Sequence, residues 1–358
     1  MISIIMAAHI NSSIKQEWIN EAIQSVRKQT FPNWELIIVD DASPFSINLA
    51  EPDKRIKIVR TVNRSGPSLC RNDAVALSHY NCLLPLDADD KLADPEVLSL
   101  MFLVWEQNQN KIVYGDLEQL IEIDGQWREG KTFNLPEYTF DRVMELGGII
   151  PVTAMHSKAC HLAAGGWKSK LNNGLEDVEY WIAAGKAGFC GHRVPGVVLQ
   201  YRKHLNSRSY LLRENRQEGD MRNLIKELHK DIYEGRYPMG CCGGGRPYTP
   251  PTNKETVVQP SVLVDVANNE KVWVEYTGKK DGSFGVVGRA TGINYKIDSP
   301  GHKFEVHVKD LGIFQKQRGP AGQNVFVVGA SSPLVEKKQN EPAFKAPSPE
   351  LAKIVELV

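Results

Sequence analysis

No glycine occurs between Met1 and Pro44, and that absence removes one way of holding a nucleotide. A dinucleotide-binding domain needs Gly-x-Gly-x-x-Gly after its first strand, where bare backbone approaches a pyrophosphate. A P-loop, which wraps phosphate in a glycine-rich turn, is missing as well. No stretch approaches the roughly 18 apolar residues that a membrane span requires. The apolar run Met1 to Ala8 has no basic leader and meets His9 and Asn11 too early for a signal peptide, so a cytoplasmic setting is expected. The six cysteines, Cys70, Cys82, Cys160, Cys190, Cys241 and Cys242, form no Cys-x-x-Cys pair, which leaves out zinc ribbons and thioredoxin motifs. Reduced thiols fit that pattern, with a metal or an inter-chain disulfide open for Cys241-Cys242. Charge of one sign is not in excess, since Lys+Arg and Asp+Glu are equal at 43 each. Nothing in that balance calls for nucleic acid or an anionic membrane.

What is present is a globular composition, 42% hydrophobic and 24% charged in 358 residues, a length that suits one large domain plus a small one. Short aliphatic runs predict strands at Ser3 to Ala8, Glu35 to Val39, Ile56 to Val59 and Cys82 to Leu86. Ile14, Trp18, Ala22 and Val26 mark one face of a helix, with Ser13 and Gln16 as its capping box. Further helices are expected from Ser68 to His79, from an Asp94-Pro95 cap to Gln107, at Glu176 to Lys186, and as one long polar helix from Tyr210 to Tyr233. Asp124-Gly125 joins Ile112 to Ile123 with Gln126 to Phe133 as a hairpin, and Val194 to Tyr201 reads as a strand. Strands alternating with helices imply an α/β fold with a doubly wound, mainly parallel sheet.

The composition then shifts. The boundaries expected are a large α/β domain over 1–236, a Gly/Pro/Cys linker over 237–258 and a small all-β, barrel-like domain over 259–318. A loosely ordered tail over 319–358 ends in a short helix at Pro349 to Val358. Strands of the β domain are expected at Ser261 to Val266, Val272 to Tyr276, Phe284 to Val287, Asn294 to Ile297 and Phe304 to Val308.

In an open parallel sheet the chemistry lies beyond the carboxyl ends of the strands. Those ends carry Ala7-Ala8-His9, Asp40-Asp41-Ala42-Ser43 and Asp87-Ala88-Asp89-Asp90. An edge this acidic repels phosphate unless a cation bridges the two, and hard carboxylate oxygens suit Mg²⁺ or Mn²⁺.

Seven motifs now make a resemblance specific. They are Ser3-Ile-Ile-Met-Ala-Ala-His9, Ser25-Val-Arg-Lys-Gln-Thr-Phe31, Trp34-Glu-Leu-Ile-Ile-Val-Asp-Asp-Ala-Ser43, Arg71-Asn72, Leu86-Asp-Ala-Asp-Asp90, Gly174-Leu-Glu-Asp177 and Tyr201-Arg-Lys-His204. In this order they resemble the family 2 glycosyltransferases, inverting enzymes of the Rossmann-like A fold. The resemblance implies sugar transfer from a nucleoside-diphosphate sugar, a UDP-sugar by preference, with Mn²⁺ or Mg²⁺ as cofactor. Ala7 and His9 fall where the family holds the base, although proline and an aromatic ring are usual there. Asp41 matches the carboxylate that reads the base edge, with Asp40 beside it. Arg71 matches a basic residue near the nucleotide, Asp87 one that meets ribose or metal, and Asp89 and His204 the metal ligands. Asp177 matches the general base, and Glu176 shapes the acceptor side.

Each motif also has an ordinary structural explanation. Paired aspartates after a strand serve as caps and turns, Glu176-Asp177 as a favourable first helical turn, Arg71 as an ion-pair partner, and a histidine as a satisfied polar residue. The β domain weakly resembles small domains from tailed-phage structural gene clusters, which implies a phage enzyme acting on a virion protein in its bacterial host. Modified phage DNA as acceptor, or an inactive carbohydrate-binding or scaffold protein of the same fold, are the competing readings.

Overall fold

A computed structural model describes residues 1–49, 51–145, 148–204 and 207–235, together with six strands between 263 and 328. In chain order the first part runs β1 (Ile2–Ala8), α1 (Ser13–Arg27), β2 (Trp34–Asp40), β3 (Ile56–Thr61), α2 (Pro67–Leu77), β4 (Cys82–Pro85), β5 (Lys91–Leu92) and α3 (Val97–Gln107). It continues through β6 (Lys111–Ile123), β7 (Gln126–Phe133), α4 (Phe140–Met144), β8 (His156–Ser157), α5 (Lys158–Ala164), a 3₁₀ turn at Ser169–Leu171, α6 (Glu176–Lys186) and β9 (Cys190–Arg202). Three helices follow: α7 (Arg208–Glu214), α8 (Glu218–Leu228) and α9 (Lys230–Tyr233). The remaining strands are β10 (Leu263–Asp265), β11 (Lys271–Tyr276), β12 (Phe284–Val287), β13 (Asn294–Ile297), β14 (Lys303–His307) and β15 (Phe326–Val328).

The central sheet has the order β10-β3-β2-β1-β4-β8, with β3, β2, β1 and β4 parallel and the two outer strands antiparallel. Parallel strands covered on both faces must be apolar throughout, and the run Ile2, Ile4, Ile5, Met6 is accordingly fully buried. One face packs under α1 and α3 through Ile19, Ile23, Val26, Leu98 and Met101. The other carries α2, α5 and α6 through Cys70, Ala74, Cys160, Tyr180 and Trp181, so the sheet is doubly wound. The chain builds β2 and β3 to one side of β1 and β4 to the other. The order therefore reverses between β1 and β4, which is where ligands enter such sheets. A second sheet, β5-β9-β6-β7, stands at that edge; its β6–β7 turn is a positive-φ pair, Asp124 at 53° and Gly125 at 72°, as a two-residue hairpin demands.

Four expectations change. The cap of α1 is Ser12, whose hydroxyl accepts from the Lys15 N–H at 3.4 Å, and Ser13 is already helical. Asp94 accepts from the Glu96 N–H at 2.8 Å in a turn of its own, so α3 starts at Val97, beyond Pro95. The long polar helix is broken into three, at Arg216, which takes a φ of 55°, and at His229. Cys70, Cys82 and Cys160 are free and buried as expected, whereas Cys190 is disulfide-bonded.

The linker, the tail and its terminal helix lie outside the described residues. Among those described, β14-β11-β15 form one small antiparallel sheet and β12-β13 another. β10 instead extends the central sheet by pairing Leu263, Val264 and Asp265 with Thr61, Arg60 and Val59.

Candidate active site

At the end of β2 the two aspartates do different work. The Asp40 carboxylate accepts from the Ser43 N–H at 2.9 Å, from the Ser43 hydroxyl and from Arg60 at 2.8 Å, and is 1% exposed. It builds the turn that puts Ala42 at a φ of 48°. Asp41 reaches across to the loop before α2, where Oδ1 accepts from the Ser65 N–H at 2.5 Å and both oxygens lie within reach of the Gly66 N–H. Gly66 is needed there: its φ is 84°, and a Cβ would meet the Asn172 side chain at 2.3 Å. His9 donates from Nδ1 to the Asp41 carbonyl at 2.9 Å, which fixes the tautomer and leaves Nε2 as the acceptor. Ala7 and His9 are both half-buried at the strand end.

After β4 the chain turns through the acidic segment. Ligand atoms of Asp87, Asp89 and Asp90 lie within 4.8 Å of one another, the one such metal-compatible group among the described residues. Asp90 is 2% exposed and accepts from the Arg202 N–H at 2.9 Å; burial and the charges of Asp89 and Asp87 push its carboxyl well above the usual range. His204 Nε2 meets Asp89 Oδ2 at 3.0 Å. Burial opposes ionisation of Asp89, but His204 and Arg208 outweigh it and its pKa is lowered. Arg202 ties this turn down. Its Nε donates to the Asp89 carbonyl at 2.9 Å and one terminal nitrogen to Glu21 at 2.9 Å, while its guanidinium lies 4.5 Å from the Trp127 ring and 5.2 Å from Trp18. Trp18 in turn lies 4.7 Å from the His204 ring.

The third wall is the start of α6, where Leu175 takes a left-handed φ of 62°. A non-glycine residue pays for that conformation, and here it presents two carboxylates in opposite environments. Glu176, 4% exposed, faces inward between Arg71 at 2.9 Å and Arg208. Burial raises its pKa, but the two guanidiniums outweigh that and hold it at about 2. Among the described residues, Asp177 accepts only the N–H of Val178, at 2.9 Å; burial and the adjacent Glu176 charge push it up to about 6. Arg71, 1% exposed, spans from Glu176 to Asp87 at 2.6 Å. It thus bridges the acidic segment after β4 and the start of α6 by two ion pairs. The loop before α6 is held to α2 by Asn72, which exchanges two hydrogen bonds with the Trp167 backbone at 2.9 and 3.0 Å.

The structure therefore brings Asp87, Asp89, His204, Arg71, Glu176 and Asp177 into one connected group, with His9 and Asp41 on the adjoining strand ends. One member, Arg208, carried no sequence motif of its own, and Arg202, inside the Tyr201 to His204 motif, was given no role there although its guanidinium lies against Trp18 and Trp127. Asp87, Asp89 and His204 are the residues that could hold a divalent ion. The crowded carboxylates, with Asp90 driven toward its neutral form, fit a hard cation.

An α/β sheet with an acidic crevice at its switch point, a histidine returning to that crevice and a carboxylate of raised pKa beside it together offer groups that could hold a divalent ion and take up a proton. Residues 3–163 match the model of Glycosyl transferase family 2, so this part of the chain is similar to that family. Among curated relatives, the poly(ribitol-phosphate) beta-glucosyltransferase of Bacillus spizizenii is 33% identical over 111 residues, 29% of this chain and 17% of that protein. An uncharacterized glycosyltransferase of Haemophilus influenzae is 24% identical over 250 residues, 65% of this chain and 74% of that one. The WfgD UDP-Glc:alpha-D-GlcNAc-diphosphoundecaprenol beta-1,3-glucosyltransferase of Escherichia coli is 31% identical over 121 residues, 33% of this chain and 46% of that one. The chain spans between 12% and 39% of the length of three of the relatives it matches. Staphylococcus aureus TarS in complex with UDP-GlcNAc aligns with a TM-score of 0.45 at 18% identity over 58% of this chain and 60% of that one. No helix among the described residues is long and apolar enough to cross a membrane.

Proposed function

We propose that the chain is an inverting glycosyltransferase that moves a sugar from a nucleoside-diphosphate sugar, a UDP-sugar by preference, to an acceptor hydroxyl. The observation that carries this reading is the divergence of two adjacent carboxylates: Glu176 is held at about 2 and Asp177 raised to about 6. A base must be ionised at working pH yet bind a proton well, and a pKa just below neutrality meets both demands. Asp177 takes the proton of the acceptor hydroxyl as that oxygen attacks the anomeric carbon. Glu176 stays ionised, keeps Arg71 and Arg208 in place and raises the proton affinity of its neighbour. His9 and Asp41 border the base, and Asp87 the ribose. Asp89 and His204, with Asp87, would hold the divalent ion, which when bound supplies positive charge for the departing diphosphate.

The relatives named for glucosyl transfer support a hexose donor and a saccharide acceptor. A virion-protein acceptor rests on the weak phage-module resemblance of residues beyond 258. The test is a panel of UDP-, GDP- and ADP-sugars incubated with Mn²⁺, reading release of nucleoside diphosphate against pH. Release with one donor, rising through pH 6 to a plateau, supports the reading; no release from any donor at any pH counts against it.

A further inference from the structure

Two tryptophans from outside the acidic group stand against it. Trp18 is buried on α1, and Trp127 is half-buried on β7, a strand whose residues are mainly exposed. Their rings meet edge to face with centroids 5.6 Å apart. Trp18 also lies against the His204 ring, 4.7 Å away and tilted by 46°. The fully buried Arg202 guanidinium lies against both indoles, 4.5 Å from Trp127 and 5.2 Å from Trp18. His204 and Arg202 are the two side chains that hold the Asp89 turn, one through the Asp89 carboxylate and the other through its carbonyl. A helix and a hairpin far apart in sequence thus converge on the same pair.

The far side of the His204 ring explains why such support is needed. Nε2 faces Asp89 Oδ2 at 3.0 Å, whereas Nδ1 is buried and has no hydrogen-bond partner among the described residues. A metal-ligating histidine almost always gives its other ring nitrogen to a carboxylate, a carbonyl or a water, which fixes the plane of the ring. No described side chain or carbonyl does so here, and the Trp18 ring contact stands in that place. We propose that Trp18 and Trp127 are positioning residues for His204: Trp18 sets the plane of the imidazole, and Trp127 holds Trp18 and Arg202 from the hairpin. The proposal rests on reading Asp89 and His204 as the pair that would hold the divalent ion. Edge-on and tilted aromatic pairs have preferred geometries, and a guanidinium over an indole face is drawn to the ring quadrupole. The cluster is therefore directional where aliphatic side chains of similar bulk would only fill space.

The test compares the full chain with Trp18→Leu, Trp127→Leu and Trp127→Phe by two readouts. Mn²⁺ affinity at fixed UDP is read from the paramagnetic resonance of the free ion. The His204 ring protons are followed by NMR in the metal-free chain and assigned by their loss in His204→Gln. Trp127→Leu is expected to weaken Mn²⁺ about tenfold, as loss of a ligand's supporting contact does, and Trp127→Phe by no more than about threefold, because an aromatic edge remains. The His204 protons should shift in Trp127→Leu, although the ring that lies against His204 is that of Trp18. Trp18→Leu should weaken Mn²⁺ at least as much, and the hairpin variants keep the test decisive should this one fail to fold. Mn²⁺ affinity within about twofold of the parent in Trp127→Leu, or His204 protons that stay in place, overturns the proposal whatever the melting temperature does, and leaves the ion reading standing. Should the parent hold no Mn²⁺ with any of UDP, GDP and ADP, the ion reading falls and the proposal with it.

Discussion

Two adjacent side chains at the start of α6 divide the labour. Asp177→Asn keeps the size and hydrogen-bonding reach of the side chain but cannot take a proton, so kcat should fall by about 10²- to 10⁴-fold. UDP affinity should stay near that of the parent, and a turnover within a few-fold of the parent would make Asp177 a structural cap. The same substitution has a stability consequence of definite sign. The folded pKa of Asp177, about 6, lies above the ordinary aspartate value of 3.8, so the protonated form favours folding and the ionised form opposes it. Stability from this group is present below pH 4 and lost as pH rises through 6. Asp177→Asn should therefore raise the melting temperature at pH 8 and leave it nearly unchanged at pH 4; a lower melting temperature at pH 8 would contradict the assigned direction. Glu176 behaves oppositely, since its depressed carboxyl stabilises the fold above the usual glutamate range and that contribution is lost as pH falls toward 2. Glu176→Gln leaves Arg71 buried with Asp87 alone and should cost about 3 kcal/mol in urea unfolding at pH 7. Of these residues, the sequence motifs reached the carboxylates and His204 but not Arg208, and they included Arg202 without marking its role. Arg202 meets Glu21 across 181 positions and Arg208 meets Glu176 across 32, contacts that no local spacing encodes.

Elements were legible where periodicity and turn chemistry agreed. The buried strands, the Asp124-Gly125 hairpin and α6, bounded at Glu176 and Lys186, followed from aliphatic runs, a positive-φ turn pair and a glycine stop. Helix starts were less legible, because the Ser12-Ser13 pair offers two hydroxyls and Asp94-Pro95 two ways to begin α3. The structure separates them by geometry. Ser12→Ala should destabilise the fold by about 1 kcal/mol, while Ser13→Ala, inside the helix, should fall within about 0.5 kcal/mol of the parent. Equal losses in chemical denaturation would contradict the assigned cap. The polar stretch 210–233 misled for a related reason, since nothing in its charge pattern marks Arg216 as a left-handed break or His229 as the partner of Glu179 at 3.0 Å.

For the whole molecule, the outer edge of β3 is covered by β10, which lies more than 200 positions further along the sequence at Leu263–Asp265. A chain ending at Tyr237 is expected to fold and to hydrolyse donor slowly, but with that edge bare it should associate with concentration, since unpaired edges invite strand addition. Light scattering after size exclusion reads this directly: a monomer at all concentrations would show that the edge needs no cover, and an insoluble chain would show that residues beyond 237 complete the fold. The account as a whole stands on the acidic crevice accepting a diphosphate through a divalent ion, and the most direct measurement is UDP affinity by calorimetry in Mn²⁺ and in chelator, for the parent and for Asp89→Ala. The parent should bind at least about tenfold tighter in Mn²⁺, in line with the several kcal/mol a metal supplies to phosphoryl oxygens, and Asp89→Ala should bind weakly and equally in both. Equal affinity of the parent in Mn²⁺ and in chelator would contradict it.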